Sequence, residues 1–215
     1  DVMLQGFYWD SYQGGTYGNT NWSNLKNQVD EIAESFDLVW LPPSAKSSGG
    51  TGYHPKEWCT QTSAWGGATV LRELIKAFKD KGTRCVADIV INHRDGNNGW
   101  VDFCNEHFKL ADGSTFVTKD GIKAQYDDFY SKSRQLICNN DECNKKGHTT
   151  SGNADAGAYA YCDEYGYGGD GFYCASRDLD HSNTYLQGVI KSYLQWMKEY
   201  MGYDGWRYDL VKGYL

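Results

Sequence analysis

The run Arg84-Cys85-Val86-Ala87-Asp88-Ile89-Val90-Ile91 constrains the fold of this chain more than any other segment. It is almost continuously apolar and ends abruptly in Asn92-His93-Arg94, so it reads as a strand of the type buried in a parallel sheet. The flanking sequence alternates to match. Met3 to Trp9 reads as a buried strand, followed by a turn-rich stretch at Gly14, Gly15, Gly18 and Asn19. Asn21 or Ser23 then caps a helix expected to run to about Ser35, with Leu25, Val29, Ile32 and Ala33 on one face. Leu38 to Leu41 is a short strand closed by Pro42-Pro43, and Ala68 to Lys81 has helical spacing through Leu71, Leu74, Ile75 and Phe78. A helix from about Asn183 to Tyr200 and a strand from Gly205 to Asp209 follow later. This succession is that of a parallel α/β protein.

Between Asn92 and about Arg177 the pattern breaks into polar sequence rich in Gly, Asp, Asn and Cys. That stretch is too long for an ordinary loop, so an inserted subdomain is expected. The chain carries seven Cys; Cys104, Cys138, Cys143, Cys162 and Cys174 crowd into or beside this stretch, while Cys59 and Cys85 stand apart. The clustering points to disulfides and an oxidising compartment, with secretion or a digestive vacuole as the expected location. Cys85, inside an apolar run, is expected to behave as a small core residue.

Charge narrows the partners. The formal net charge of -7, with no basic patch, argues against nucleic acid. No apolar run approaches the roughly 18 residues of a membrane span. No charged-then-apolar leader precedes Asp1, so any signal peptide is expected to be absent from this sequence. The 15% aromatic content, with 17 Tyr and 8 Trp, suits rings that stack on sugar faces, and equally suits rings that fill a core.

Four segments place polar groups where strands end: Asp88 to Arg94, Gly205 to Lys212, Trp40 to Ser44 leading into Gly52-Tyr53-His54-Pro55, and Arg177 to His181. In a (β/α)8 barrel the C-terminal strand ends build the active site, so such clusters are expected to be functional. Arg207 and Asp209 lie two residues apart and so on one face of a strand, either as an ordinary strand-end ion pair or as an activated carboxylate. Taken in order, these segments resemble the shared regions of the α-amylase family, glycoside hydrolase family 13. Gln5-Gly6-Phe7-Tyr8-Trp9 and Trp40-Leu41-Pro42-Pro43-Ser44 resemble its plant-type members in particular.

The resemblance implies an α/β fold: the N-terminal half of a (β/α)8 TIM barrel, strands 1–4, with a domain B insertion after strand 3. Residues 1–91 and 178–215 then belong to the barrel and 92–177 to the insertion. It implies retaining hydrolysis of internal α-1,4-glucosidic bonds in starch, glycogen or malto-oligosaccharides. Asp209 matches the nucleophile, Arg207 its paired arginine, His93 a histidine on the sugar hydroxyls, and Tyr53 the ring stacked on that sugar. Lys212 matches a residue on the leaving-group side, and reads equally well as a solvated lysine.

Calcium is the implied metal. Asn92, Asp178 and the Gly213 carbonyl are its expected oxygen ligands, and Asp170, or alternatively Asp163, adds a carboxylate from the insertion. Asp180 and His181 are expected to cap the helix that follows. The family's acid/base glutamate follows a fifth strand, and no Glu here matches it. The half-barrel is therefore expected to need its other half or to self-associate. The alternative is a non-catalytic glucan-binding or interaction protein.

Overall fold

The computed structural model describes residues 1–98, 102–138, 162–163, 173–174 and 176–211. Along the chain, β1 (Met3–Gln5) leads to the short helices α1 (Trp22–Lys26) and α2 (Val29–Ala33), then to β2 (Leu38–Leu41). The paired strands β3 (Lys46–Ser47) and β4 (Pro55–Glu57) precede α3 (Ala68–Asp80) and β5 (Arg84–Ile89). Then come β6 (His93–Arg94), β7 (Glu106–His107), β8 (Gln125–Tyr126) and α4 (Phe129–Lys132). The short strands β9 (Cys162–Asp163), β10 (Tyr173–Cys174) and β11 (Arg177–Asp178) lead to α5 (Thr184–Trp196) and β12 (Gly205–Tyr208).

Strands β1, β2, β5 and β12 form one sheet in that spatial order, with every pairing parallel. Four parallel strands with helices between them make an open sheet, the arrangement expected of the first half of a (β/α)8 barrel. β5 lies between β2 and β12, which is why Cys85 to Ile89 are all buried. Cys85, Ala87 and Ile89 join the apolar core together with Val39 and Leu41 of β2 and Leu71, Leu74, Ile75 and Phe78 of α3. The two-residue period of a strand sends Val86 and Asp88 to the opposite face.

Several elements depart from expectation. The first strand stops at Gln5, and Met3 is 52% exposed, because β1 is an edge of the sheet with a neighbour on one side only. Gly6 makes the last contact, donating its N–H to the Trp40 carbonyl at 2.9 Å. A side chain there would meet Val39 Cγ1 at 3.0 Å, so the close approach favours glycine. The expected single helix to Ser35 is broken at Asn27 and Gln28, where Gln28 N–H turns back to the Leu25 carbonyl in a tighter, three-residue bond. Asn21 is the cap, accepting from Asn24 N–H, and the buried face of Trp22, Leu25, Val29 and Ile32 survives the break.

The cap of α5 is Asn183, whose side chain accepts from Tyr185 and Leu186 N–H, and not Asp180 or His181. Those two lie too far ahead of the first turn. Asp180 instead accepts from the Ser182 N–H and hydroxyl, and His181 donates to the Ile91 carbonyl. After Trp196 the helix widens into a π turn over Met197–Met201 that ends at Gly202, with φ 99°.

The polar stretch after β5 has an apolar interior. Phe103, Phe108, Phe116, Phe129, Leu136 and Ile137 are all buried in it. Its entry and exit are zipped together by the antiparallel pair β6–β11, which sets His93 opposite Asp178 and Arg94 opposite Arg177. The expected disulfides do not involve Cys59, Cys85 or Cys104. Cys59, Cys85 and Cys104 are thiols, with Cys85 buried as expected and Cys104 bonded to the Glu57 carboxylate. Burial, with Glu57 second, pushes the Cys104 thiol up to about 11, so it stays protonated. Backbone register sets Cys162 opposite Cys174, and Cys143 lies outside the described residues. Among the described residues no helix is long and apolar enough to cross a membrane.

Candidate active site

The parallel register pairs Arg207 of β12 with Asp88 of β5, so their side chains emerge side by side at the C-terminal ends of neighbouring strands. Arg207 Nη1 donates to Asp88 Oδ1 at 3.0 Å and to Asp209 Oδ1 at 2.7 Å. Asp209 N–H donates to the Ile89 carbonyl at 2.9 Å, which carries the ladder one residue beyond β12 and fixes the carboxylate at its end. The next residue, Leu210, has φ 46°, a backbone angle that turns the chain sharply away.

Asp88 is the hub of this group. Its side chain is 0% exposed, and it accepts from Arg207, from Trp40 Nε1 at 3.1 Å and from the Tyr53 hydroxyl at 2.8 Å. Burial lifts its pKa to about 6, outweighing the opposite pull of Arg207 and the hydrogen bonds. Burial, then the Asp88 charge, pushes the Tyr53 phenol well above its ordinary value, so it stays a donor. The Arg207 guanidinium also lies 5.1 Å over the Trp40 ring. The Tyr53 ring stacks on Trp9 with centroids 5.3 Å apart and planes 9° from parallel, and Trp9 is 61% exposed. This stacked pair is an aromatic ledge adjoining Asp88, which Arg207 links to Asp209.

His93 is buried, and the Tyr53 carbonyl, which only accepts, receives its Nε2–H at 2.8 Å. Nδ1 then accepts from Asn92 Nδ2 at 3.3 Å, and burial lowers the ring's pKa and keeps it neutral. Both ring nitrogens are thus engaged within the protein, and His93 holds the backbone of Tyr53. That bond also orients the Asn92 amide, leaving its Oδ1 buried without a hydrogen-bond partner. Asp178, fully buried, enters from the paired strand, and Leu179 N–H donates to the Asn92 carbonyl at 2.9 Å. An orphaned amide oxygen near a buried carboxylate suits a hard cation. Among the described residues no group of three or more His, Cys, Asp or Glu is placed to hold a metal ion. Lys212, Gly213 and Asp170 lie outside those residues, and of Asp163 only the backbone, in β9, is described.

The structure thus brings Asp209, Arg207, Tyr53, His93, Asn92 and Asp178 to one end of the sheet. Sequence reasoning missed Asp88, Trp40 and Trp9 as parts of the site. A charged residue inside an apolar strand was the available signal for Asp88, but its partners depend on register.

A fold with parallel strands, intervening helices and a carboxylate–arginine pair at the strand ends defines a class of barrel proteins whose sites lie at that end. The alpha-amylase catalytic-domain profile matches residues 12–214, and the chain belongs to that family. It is 29% identical over its whole length to the chloroplastic alpha-amylase 3 of Arabidopsis thaliana, covering 20% of that protein. It is 27% identical to the probable alpha-amylase 2 of the same plant, covering all of this chain and 42% of that one. The chain thus spans less than half the length of these relatives. Among solved structures, alpha-amylase I from Eisenia fetida superposes with a TM-score of 0.54 at 18% identity, over 99% of this chain and 38% of that one. That likeness speaks for the fold.

Proposed function

We propose that the chain carries the nucleophile-bearing half of a retaining glycoside hydrolase that cleaves internal α-1,4-glucosidic bonds of starch or glycogen. The observation that supports this best is the single Arg207 nitrogen bonded at once to Asp209 and to the buried Asp88. Asp88 anchors the guanidinium from behind, and the guanidinium fixes the Asp209 carboxylate at the strand end. A glucose ring lying on the Tyr53–Trp9 ledge presents its anomeric carbon to Asp209, which attacks it as the glycosidic C–O bond breaks and the leaving oxygen takes the acid's proton; water then hydrolyses the glycosyl ester. Lys212 is proposed to contact the leaving-group side.

A retaining reaction also needs an acid/base carboxyl about 5 Å from the nucleophile. Asp88 is near enough but unsuited, since it is fully enclosed by Trp40, Tyr53 and Arg207 and reaches no substrate. We therefore assign that role to a glutamate outside these residues, and the fold to a piece of a longer barrel. The binding-only alternative draws its support from the aromatic ledge itself, which suits a sugar face whether or not a second carboxyl is beside it.

Calcium is proposed on Asn92 Oδ1, the Asp178 carboxylate, the Gly213 carbonyl and Asp170. Held by these residues, a cation would offset buried carboxylate charge and tie the insertion to the strand ends. Secretion or a digestive vacuole is proposed from the remaining insertion cysteines, with Cys162 opposite Cys174. Reducing-end release from soluble starch, with calcium, tests the whole reading. Hydrolysis by a chain extended through a glutamate-bearing fifth strand, abolished in Asp209→Asn, is expected. Oligosaccharide binding without hydrolysis in that longer chain selects the binding-only reading, and neither activity overturns both.

A further inference from the structure

A second polar cluster lies behind the aromatic ledge and takes no part in the chemistry above. Asp95, which follows β6, is 5% exposed, and its carboxylate accepts from Ser176 Oγ at 2.6 Å and from Ser48 Oγ. Its own N–H donates to the Pro55 carbonyl at 2.9 Å. Ser176, fully buried just ahead of β11, spends its hydroxyl proton on Asp95, so the contact with His54 Nδ1 at 3.0 Å has the imidazole N–H donating to Ser176 Oγ. Ser47 closes the chain: its hydroxyl donates to the His54 carbonyl at 2.8 Å and accepts the His54 N–H at 3.2 Å.

One buried carboxylate therefore gathers the loop of residues 47–55, the first strand of the insertion's stem and the start of the last. The residue held next to it in sequence is Tyr53, whose ring bonds Asp88 and whose carbonyl bonds His93. A shift of His54 is felt at both.

We propose that Asp95, with Ser48, Ser176 and His54, is a positioning residue that locks the Tyr53 ring against Trp9, so that the insertion's stem sets how well the ledge accepts a sugar. The sugar part of this rests on the glucan reading of the ledge; the positioning part does not. Loss of hydrogen bonds to a buried charge typically weakens what they organise by about tenfold or more.

The test uses this chain with maltoheptaose as the probe. Calorimetry reads the affinity, and near-ultraviolet circular dichroism reads the part of the spectrum that Trp9→Phe abolishes. Asp95→Ala and His54→Ala are expected to weaken binding about tenfold and to diminish the Trp9-dependent band. Asp95→Asn, which keeps an acceptor for Ser176, and His54→Asn, whose amide N–H replaces Nδ1–H, are expected to restore binding to within about threefold. A melting effect without a change in that band, or no rescue by the Asn variants, overturns the proposal. Should Asp95→Ala fail to fold, Ser48→Ala removes a single donor at the loop, and an unchanged band there overturns it equally. If the parent chain binds no maltoheptaose, the sugar part of this proposal is overturned, while the band still decides the clamp.

Discussion

Two arginine–carboxylate groups in this molecule have the same chemistry and opposite settings. Arg94 donates to Glu106 at 2.5 Å, with both side chains 0% exposed. The remaining Glu106 capacity is filled by Trp58 and Cys59 N–H, and Arg94 also donates to the Lys56 and Cys104 carbonyls. The Arg94 guanidinium lies 4.7 Å from the ring centroids of both Trp58 and Phe129. Arg207, by contrast, is 38% exposed and joins one fully buried carboxylate, Asp88, to one that is 13% exposed, Asp209. A charge pair buried among donors, carbonyls and rings is closed to any ligand from solvent and fastens the insertion to the segment at β4. A pair anchored on one side and open on the other keeps a carboxylate presented for chemistry. Surroundings, not residue type, separate structure from function here.

The largest effect expected from this contrast is on turnover. In a complete version of the enzyme, Asp209→Asn should lower starch hydrolysis by about four orders of magnitude while leaving the melting temperature close to the parent's. Near-normal reducing-end release in that variant would break the distinction. At the enclosed pair the expected damage falls on stability instead. Arg94→Met strands Glu106 as a buried charge and should cost about 3–5 kcal/mol in urea unfolding, much of it recovered when Glu106→Leu is added. No recovery in the double variant would mean that the pair is more than a fastener.

The strand–helix succession and the helix faces were legible in the sequence because apolar periodicity is local, as at Leu71, Leu74, Ile75 and Phe78. Asp209, Arg207 and Tyr53 were legible through the family resemblance of short motifs. Asp88 was not, because its role comes from a register that brings Arg207 beside it from 119 residues away. The split between α1 and α2 and the cap at Asn183 were decided by one or two backbone bonds, below the resolution of periodic pattern. The insertion's aromatic core was hidden for the opposite reason. Its phenylalanines are spaced by irregular loops and share no period, so only the folded chain gathers them.

Asp88 sharpens the comparison further, through pH. Its folded pKa of about 6 lies above the ordinary value, so its stabilising contribution is present at low pH and is lost as pH rises through about 6. Relative to Asp88→Asn, the parent should lose about 2–3 kcal/mol of unfolding free energy between about pH 4 and pH 7, read by urea denaturation. A constant difference across that window would place the anchor's charge in water. A smaller effect is expected from calcium. Chelation should destabilise the chain by about 2 kcal/mol, and Asn92→Ala should abolish the response. An unchanged melting temperature in excess chelator would remove the cation from the account.

The central claim is that Asp209 is the nucleophile. An activated 5-fluoro-α-glucosyl fluoride tests it most directly, because fluoride departs with little help from an acid and the reagent traps the glycosyl ester. Incubated with the chain, digested and weighed peptide by peptide, it should add one glycosyl group to the peptide holding Asp209 and none in Asp209→Asn. Attachment to another carboxyl, or no attachment to a folded chain that binds maltoheptaose, would contradict the assignment.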